Sequence, residues 1–269
     1  REKRMAKFIC NFISYSLKRA VDITVIIPSV TFPEACGDGN VKGAVPKHGK
    51  MEKYPVIYLL HGVGNDHATW NSYTSVELFA EERNIAVVML SAENKMYVNH
   101  GGNSFMGDCF YDFIEEELPD FICGMFPVSE RPEDTYIAGL SMGAFGTMIH
   151  GLKNPQRYRA MGAFSAGLFL PPTEAEKWDP EYNPLVLTEK LSEKKVKDMK
   201  IFMGCGDKDP LFEGCRNSAE ILKQSGQDVT WVPVEGYAHE WRLWNLLIER
   251  YMDWIPRTDY FSTLGIRKI

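Results

Sequence analysis

The sequence predicts an α/β fold, a mostly parallel, doubly wound sheet with helices on both faces. Three observations carry that expectation. Short apolar runs of strand length alternate with segments of helical periodicity. Several of the runs are apolar throughout, as strands covered on both faces require. One run, at 135–140, leads straight into Gly139-Leu140-Ser141-Met142-Gly143 and then into a helical pattern. That is a strand, a sharp Gly-x-Ser-x-Gly turn and a helix, the arrangement that lifts a serine hydroxyl clear of a sheet.

The elements follow in order. Residues 7–14 alternate weakly and 21–28 form a β run closed by Pro28, so the chain is expected to open with an antiparallel hairpin. Residues 31–53 hold Pro33, Gly37, Gly39, Gly43 and Pro46 and predict a loop. The run 54–60 predicts a buried strand that delivers His61-Gly62-Val63. A helix over 74–83 and a strand over 85–90 come next. The polar, glycine-rich and aromatic stretch 94–107 predicts an active-site loop. Helical spacing of Phe110, Phe113, Ile114, Leu118 and Phe121 marks 108–126, with a kink expected at Pro119. Beyond the elbow come a helix over 143–152 and a strand over 159–166. The Pro-, Glu- and Lys-rich stretch 167–197 breaks the rhythm and is expected to be a lid or cap insertion. Strands at 200–204 and 229–234 bracket a helix at 213–225. A closing amphipathic helix spans 240–255, with Trp241, Trp244, Leu247, Ile248, Tyr251 and Trp254 on its core face. With no repeat and no linker, one domain over 1–269 is expected.

The composition narrows the function. The 269 residues are 45% hydrophobic and 25% charged, with a formal net charge of -6. A mildly acidic chain lacks the basic footprint of a nucleic-acid binder. No apolar run reaches the roughly 18 residues that span a bilayer. Six scattered cysteines without zinc spacing, and a charged opening without an apolar leader core, make reduced thiols and a cytoplasmic location the expectation. A leader already removed is left open, as is a homo-oligomer.

A serine nucleophile needs a base to take its proton and a third group to orient that base. In α/β-hydrolases the chain order is Ser, then Asp or Glu, then His. After Ser141 the sequence offers His150 and His239. His150 falls within the helix that leaves the elbow and points away, whereas His239 follows the last strand, where the base belongs. The acid should follow the strand at 200–204, where Asp207 and Asp209 both stand; Pro210 fixes the turn after Asp209 and favours it. The two oxyanion donors are expected to be the backbone N–H groups of Met142 and Val63. His61 is assigned to holding its loop by hydrogen bonds. Neither a metal nor a cofactor is expected, because His61, Asp66 and His67 match no standard ligand spacing. Trp70, Tyr97 and Phe105 are candidates for an aromatic-lined acyl pocket.

Leu59-Leu60-His61-Gly62, Gly139-Leu140-Ser141-Met142-Gly143, Gly206-x-x-Asp209-Pro210-Leu211-Phe212 and His239-Glu240-Trp241 together resemble the esterase-D-like "putative esterase" family. The likeness is closest to its tributyrin and cinnamoyl (feruloyl) esterase branch. Ala80-Glu81-Glu82-Arg83, Tyr97-Val98-Asn99, 113–119 and Met125-Phe126-Pro127 resemble that branch too, so the likeness runs through nearly the whole chain. The resemblance implies the α/β-hydrolase fold and a serine carboxylesterase, with Ser141, Asp209 and His239 as its triad. It implies short-chain acyl, acetyl or hydroxycinnamoyl esters as substrates, small or carbohydrate-linked. S-formylglutathione hydrolysis, acyl transfer to a sugar or lipid alcohol, and a non-catalytic binding module are the alternatives. The formylglutathione branch usually carries a cysteine just after the oxyanion loop, and Val63-Gly64-Asn65-Asp66 has none.

Overall fold

The computed structural model describes residues 6–28, 53–101, 107–166, 179–194 and 199–257. Within them an eight-stranded sheet runs through the molecule. Its strands are β1 (Ala6–Ser14), β2 (Arg19–Ile27), β3 (Val56–Leu60) and β4 (Ala86–Leu90), then β7 (Thr135–Leu140), β8 (Ala160–Phe164), β9 (Lys200–Gly206) and β10 (Asp228–Val234). The spatial order is β1-β2-β4-β3-β7-β8-β9-β10. The strands from β4 to β10 are mutually parallel, and the β1–β2 hairpin joins them antiparallel through β2 and β4. A short ladder pairs β5 (Asn99–His100), in the expected active-site loop, with β6 (Asp108–Cys109), the first two residues of the stretch expected to be helical.

Side-chain alternation sorts the core into two layers. Val56, Tyr58 and Leu60 of β3 face one layer; Ile57 and Leu59 face the other. The second layer is built by α1 (Thr69–Tyr73) and α2 (Val76–Glu82), with the final helix α7 (Trp241–Trp254). On the first pack α3 (Phe110–Asp112, Phe113–Glu117 and Leu118–Met125), α4 (Met142–Lys153), α5 (Pro184–Lys194) and α6 (Phe212–Gln224). α7 buries Leu243, Trp244, Leu247, Ile248, Tyr251 and Met252, whereas Trp241 and Trp254 lie at the edge of the stripe.

Three local features depart from the expectations. α1 is a single turn that the periodicity of 74–83 does not announce, because it is too short to show a repeat. The kink at Pro119 takes the form of a π-turn at Phe113–Glu117. Proline cannot donate to the carbonyl four residues back, and the Glu115 carbonyl instead accepts from the Arg157 guanidinium. In the expected lid, 167–178 and 195–197 lie outside the described residues; 179–194 contains α5, whose Leu187, Thr188 and Leu191 are buried.

The wide turn also aims Glu117 at the opening hairpin. Its buried carboxylate accepts from the Ser14 hydroxyl at 2.8 Å and from the N–H groups of Tyr15 and Ser16 at 2.9 Å each. Glu117→Ala leaves those three donors without their acceptor. It is expected to cost roughly 2–3 kcal/mol in urea unfolding; a loss within about 0.5 kcal/mol, the range of ordinary surface substitutions, would show that water replaces the carboxylate.

Candidate active site

The chain runs from β3 outward to β4 on one side and returns to β7 on the other, so a crevice opens beyond the carboxyl ends of β3 and β7. Ligand sites of open α/β sheets lie at such reversals. The loop after β3 carries His61-Gly62-Val63, and Ser141 follows β7 directly.

Ser141 stands at φ 51° and ψ -116°, outside the regions an L-residue favours. Packing on both sides holds it there. A Cβ at Gly139 would lie 2.4 Å from the Gly143 carbonyl oxygen, and one at Gly143 would lie 2.4 Å from that of Leu60. No other residue fits so close to backbone. The Ser141 N–H donates to the Phe164 carbonyl at 2.9 Å, and α4 starts at the next residue. Helix starts leave backbone N–H groups unpaired and favour negative charge.

The β9 and β10 ends bring up the other two groups. Asp209 lies past β9 and is buried; His239 lies in the loop between β10 and α7. The structure places His239 Nε2 3.1 Å from Ser141 Oγ and His239 Nδ1 2.8 Å from Asp209 Oδ2. A carboxylate accepts only, so Nδ1 carries a proton and Nε2 is left to accept from the serine hydroxyl. Asp207 points elsewhere: it accepts from the Gly236 N–H at 2.7 Å and pairs with Lys208. His150 is fully buried in α4. Close approach fixes the Asp209 loop as well, since a Cβ on Gly206 would lie 2.1 Å from the Tyr237 carbonyl oxygen.

Burial pushes the Asp209 carboxyl up. Hydrogen bonds from His239, the Leu211 N–H and Ser165 outweigh it and hold the group below its ordinary range. Ser165 is a residue the sequence did not single out. It sits just past β8 at φ 53° and accepts the Trp244 indole N–H at 3.0 Å, so it links Asp209 to α7. A polar residue ending an apolar strand was its only signal, and its meaning depends on β8 lying between β7 and β9.

The N–H groups of Val63 and Met142 donate to no protein acceptor among the described residues. His61 is buried, donates from Nδ1 to the Gly62 carbonyl at 2.7 Å and accepts the Ala92 N–H at 2.9 Å. Burial holds its ring below the ordinary histidine range despite the bond to Gly62. Two acyl-pocket candidates are corrected. Trp70 and Tyr97 are fully buried, and their polar atoms donate to the Leu60 and His61 carbonyls at 3.0 and 2.7 Å. Neither ring is open to a substrate. Phe105 lies outside the described residues.

The Asp209 environment carries a pH consequence. A carboxyl held lower in the folded state than in the unfolded chain contributes stability that is complete above the unfolded value, about 3.9 for Asp. That contribution is lost as the pH falls through the lower folded value. The urea midpoint of the native protein is therefore expected to fall more steeply between about pH 6 and about pH 3 than that of Asp209→Asn. Parallel curves would mean that the carboxylate gains nothing from its partners.

Comparison with known proteins adds a family, two relatives and two solved structures. A model of the family described as "Putative esterase" matches residues 38–251. An acetyl esterase of Caldicellulosiruptor saccharolyticus is 28% identical over 95% of this chain and 100% of its own length. An endo-1,4-beta-xylanase/feruloyl esterase of Xylanibacter ruminicola is 28% identical over 75% of this chain but only 26% of that longer protein. Among solved structures, a fluorophosphonate-binding serine hydrolase of Staphylococcus aureus superposes with a TM-score of 0.76 at 23% identity, covering 94% of this chain and 98% of that one. An S-formylglutathione hydrolase of the same organism gives 0.75 at 24%, covering 94% and 99%. These two likenesses establish the α/β-hydrolase fold.

Proposed function

Because this chain belongs to the "Putative esterase" family and is a serine carboxylic ester hydrolase, we propose that it cleaves short-chain acyl, above all acetyl, or hydroxycinnamoyl esters through an acyl-enzyme on Ser141. The observation that carries the reading is the file Ser141 Oγ, His239, Asp209, with gaps of 3.1 and 2.8 Å, at the tip of a strained turn. Ser141 attacks the ester carbonyl while His239 Nε2 takes its proton. Asp209 keeps the ring in the useful tautomer and stabilises the imidazolium. The N–H groups of Val63 and Met142 receive the developing oxyanion. His239 then hands the proton to the departing alcohol, and water repeats the sequence on the acyl-serine.

Ser141→Ala is expected to stay folded and lose p-nitrophenyl acetate hydrolysis by at least about 10⁴-fold, as removal of a triad nucleophile does. Asp209→Asn should lose most activity and Asp207→Asn little. Equal losses at the two aspartates would sink the assignment of the acid.

The acyl and alcohol preferences rest on the names of the two relatives and on one surface feature. Rings run in file from His239 to Trp244, Trp241 and Tyr73, with centroids 4.9, 5.1 and 5.2 Å apart. Tyr73 is 63% exposed and lies nearly parallel to Trp241. Beside it runs an open groove of about 600 Å³ lined by Tyr237, Arg242, Asn245 and Glu249 among others. A flat exposed ring flanked by polar groups suits a sugar, so the alcohol is assigned to a carbohydrate. Tyr73→Ala should raise KM for acetylated xylo-oligosaccharides several-fold and leave p-nitrophenyl acetate kinetics unchanged. An equal change on both substrates would remove the sugar assignment. The S-formylglutathione hydrolase likeness supplies the second reading, and a direct kcat/KM comparison of that thioester with p-nitrophenyl acetate separates the two.

A further inference from the structure

The carbonyl groups of Leu60 and His61 lie where the oxyanion loop leaves β3. A Cβ on Gly143 would approach them to 2.4 and 2.6 Å, so α4 begins in contact with both. From elsewhere a buried aromatic side chain donates to each: Trp70 to Leu60 and Tyr97 to His61. These two rings therefore fix peptide groups of the loop, not a substrate.

Tyr97 is itself held by a second layer. Its ring lies against Gly146 of α4, where a Cβ would come within 2.6 Å of it. Its carbonyl accepts from His150 Nε2 at 3.0 Å, and His150 Nδ1 pairs with Glu115 Oε1 at 2.5 Å. Tyr111 stacks on the His150 ring at 4.8 Å. Glu115 also accepts the Tyr158 hydroxyl at 2.7 Å and pairs with Arg157 at 3.3 Å. Burial pushes the Glu115 carboxyl up, but His150, Arg157 and Tyr158 together hold it below its ordinary range. Glu115 comes from the π-turn, so the widening at Pro119 belongs to the same construction. Tyr97 and His150 are fully buried and Glu115 nearly so. Apolar side chains of similar volume commonly serve stability as well as a buried ion pair does. What this pair adds is a fixed direction for the Tyr97 backbone and hydroxyl.

We propose that Tyr97 is a positioning residue for the oxyanion site and that the Glu115–His150 pair fixes Tyr97 in that role. The proposal rests on the reading of the Val63 N–H as an oxyanion donor. The His61 carbonyl belongs to the peptide group next to the one that carries that N–H, so releasing it lets the loop rotate and the donor drift. A donor that matters only when negative charge develops shows its displacement in kcat and not in KM.

Tyr97→Phe keeps the ring against Gly146 and removes the hydroxyl alone. The expected result is a fall in kcat for p-nitrophenyl acetate of about tenfold, a fraction of what outright loss of a donor costs. KM should stay within about twofold. Affinity for a trifluoromethyl ketone, which forms a tetrahedral oxyanion on the serine, should fall by the same factor as kcat/KM. His150→Gln should act in the same direction, and the double variant should lose no more than the larger single loss; if His150→Gln does not fold, Tyr97→Phe still decides. Wild-type kcat and ketone affinity in Tyr97→Phe would overturn the proposal. So would a raised KM with kcat kept, or a lowered kcat with ketone affinity unchanged. Failure of the underlying reading looks different: the native enzyme itself would bind the trifluoromethyl ketone no better than the matching methyl ketone, and the proposal would fall with it.

Discussion

The whole arrangement depends on a backbone contact, the approach of α4 to the end of β3 at Gly143. Strand neighbours in a sheet lie nearly 5 Å apart, and a helix leaving one strand normally needs room for a side chain against the next. Here the helix begins with no such room, 2.4 Å being the gap that a Cβ would have to the Leu60 oxygen. That contact forces the chain to turn within one residue, and the residue is Ser141. A backbone in such a region costs about 1–3 kcal/mol. The cost is offset along α4, where every residue from Met142 to Leu152 is buried. The site is strained because the helix is well packed, and the helix can start so early because residues 139 and 143 are glycine.

The acid is arranged on similar lines. An aspartate taken out of water tends to protonate, and a neutral acid would orient the histidine poorly. Asp209 keeps its charge because three donors reach it from three directions: the histidine loop, the start of α6 and the end of β8. Ser165 does more than donate. By accepting the Trp244 N–H it ties the acid to α7, the helix that the histidine loop feeds. The acid and the histidine loop are thus both joined to α7, and the two meet at 2.8 Å.

Much of this was legible in the sequence, for physical reasons that also mark the boundary. β3, β4 and β7 are covered on both faces, so each is an uninterrupted apolar run and announces itself. The elbow is legible because its glycines answer a steric demand that no other residue meets. Asp209 and His239 follow from strand ends and chain order, and the geometry brings them together. Trp70 and Tyr97 do not line a pocket as expected, because an aromatic residue near a site carries no mark of which way it faces; only the fold turns both inward onto carbonyl groups. Ser165 could not be weighed without knowing that β8 separates β7 from β9. The π-turn was half visible: Pro119 announced an interruption, but the partner that takes the orphaned Glu115 carbonyl, Arg157, is 42 residues away.

The buried charged network to which Glu115 belongs lies behind the oxyanion loop, joined to it through His150 and Tyr97. The elbow fixes the serine through backbone contact, whereas the oxyanion loop is held by hydrogen bonds: Asn94 accepts the Gly64 N–H, Asn65 donates to the Val63 carbonyl and Tyr97 to that of His61. Apolar packing is non-directional and cannot hold a peptide plane at a chosen angle. Hydrogen bonds can, provided that their own donors are fixed. Trp70 is fixed by its size within the second core layer. Tyr97 packs its fully buried ring on Gly146 and edge-on to His61, and its carbonyl is held in turn by His150, which pairs with Glu115. The strand and the elbow thus place the nucleophile by contact, whereas the polar network places the opposing donor by direction.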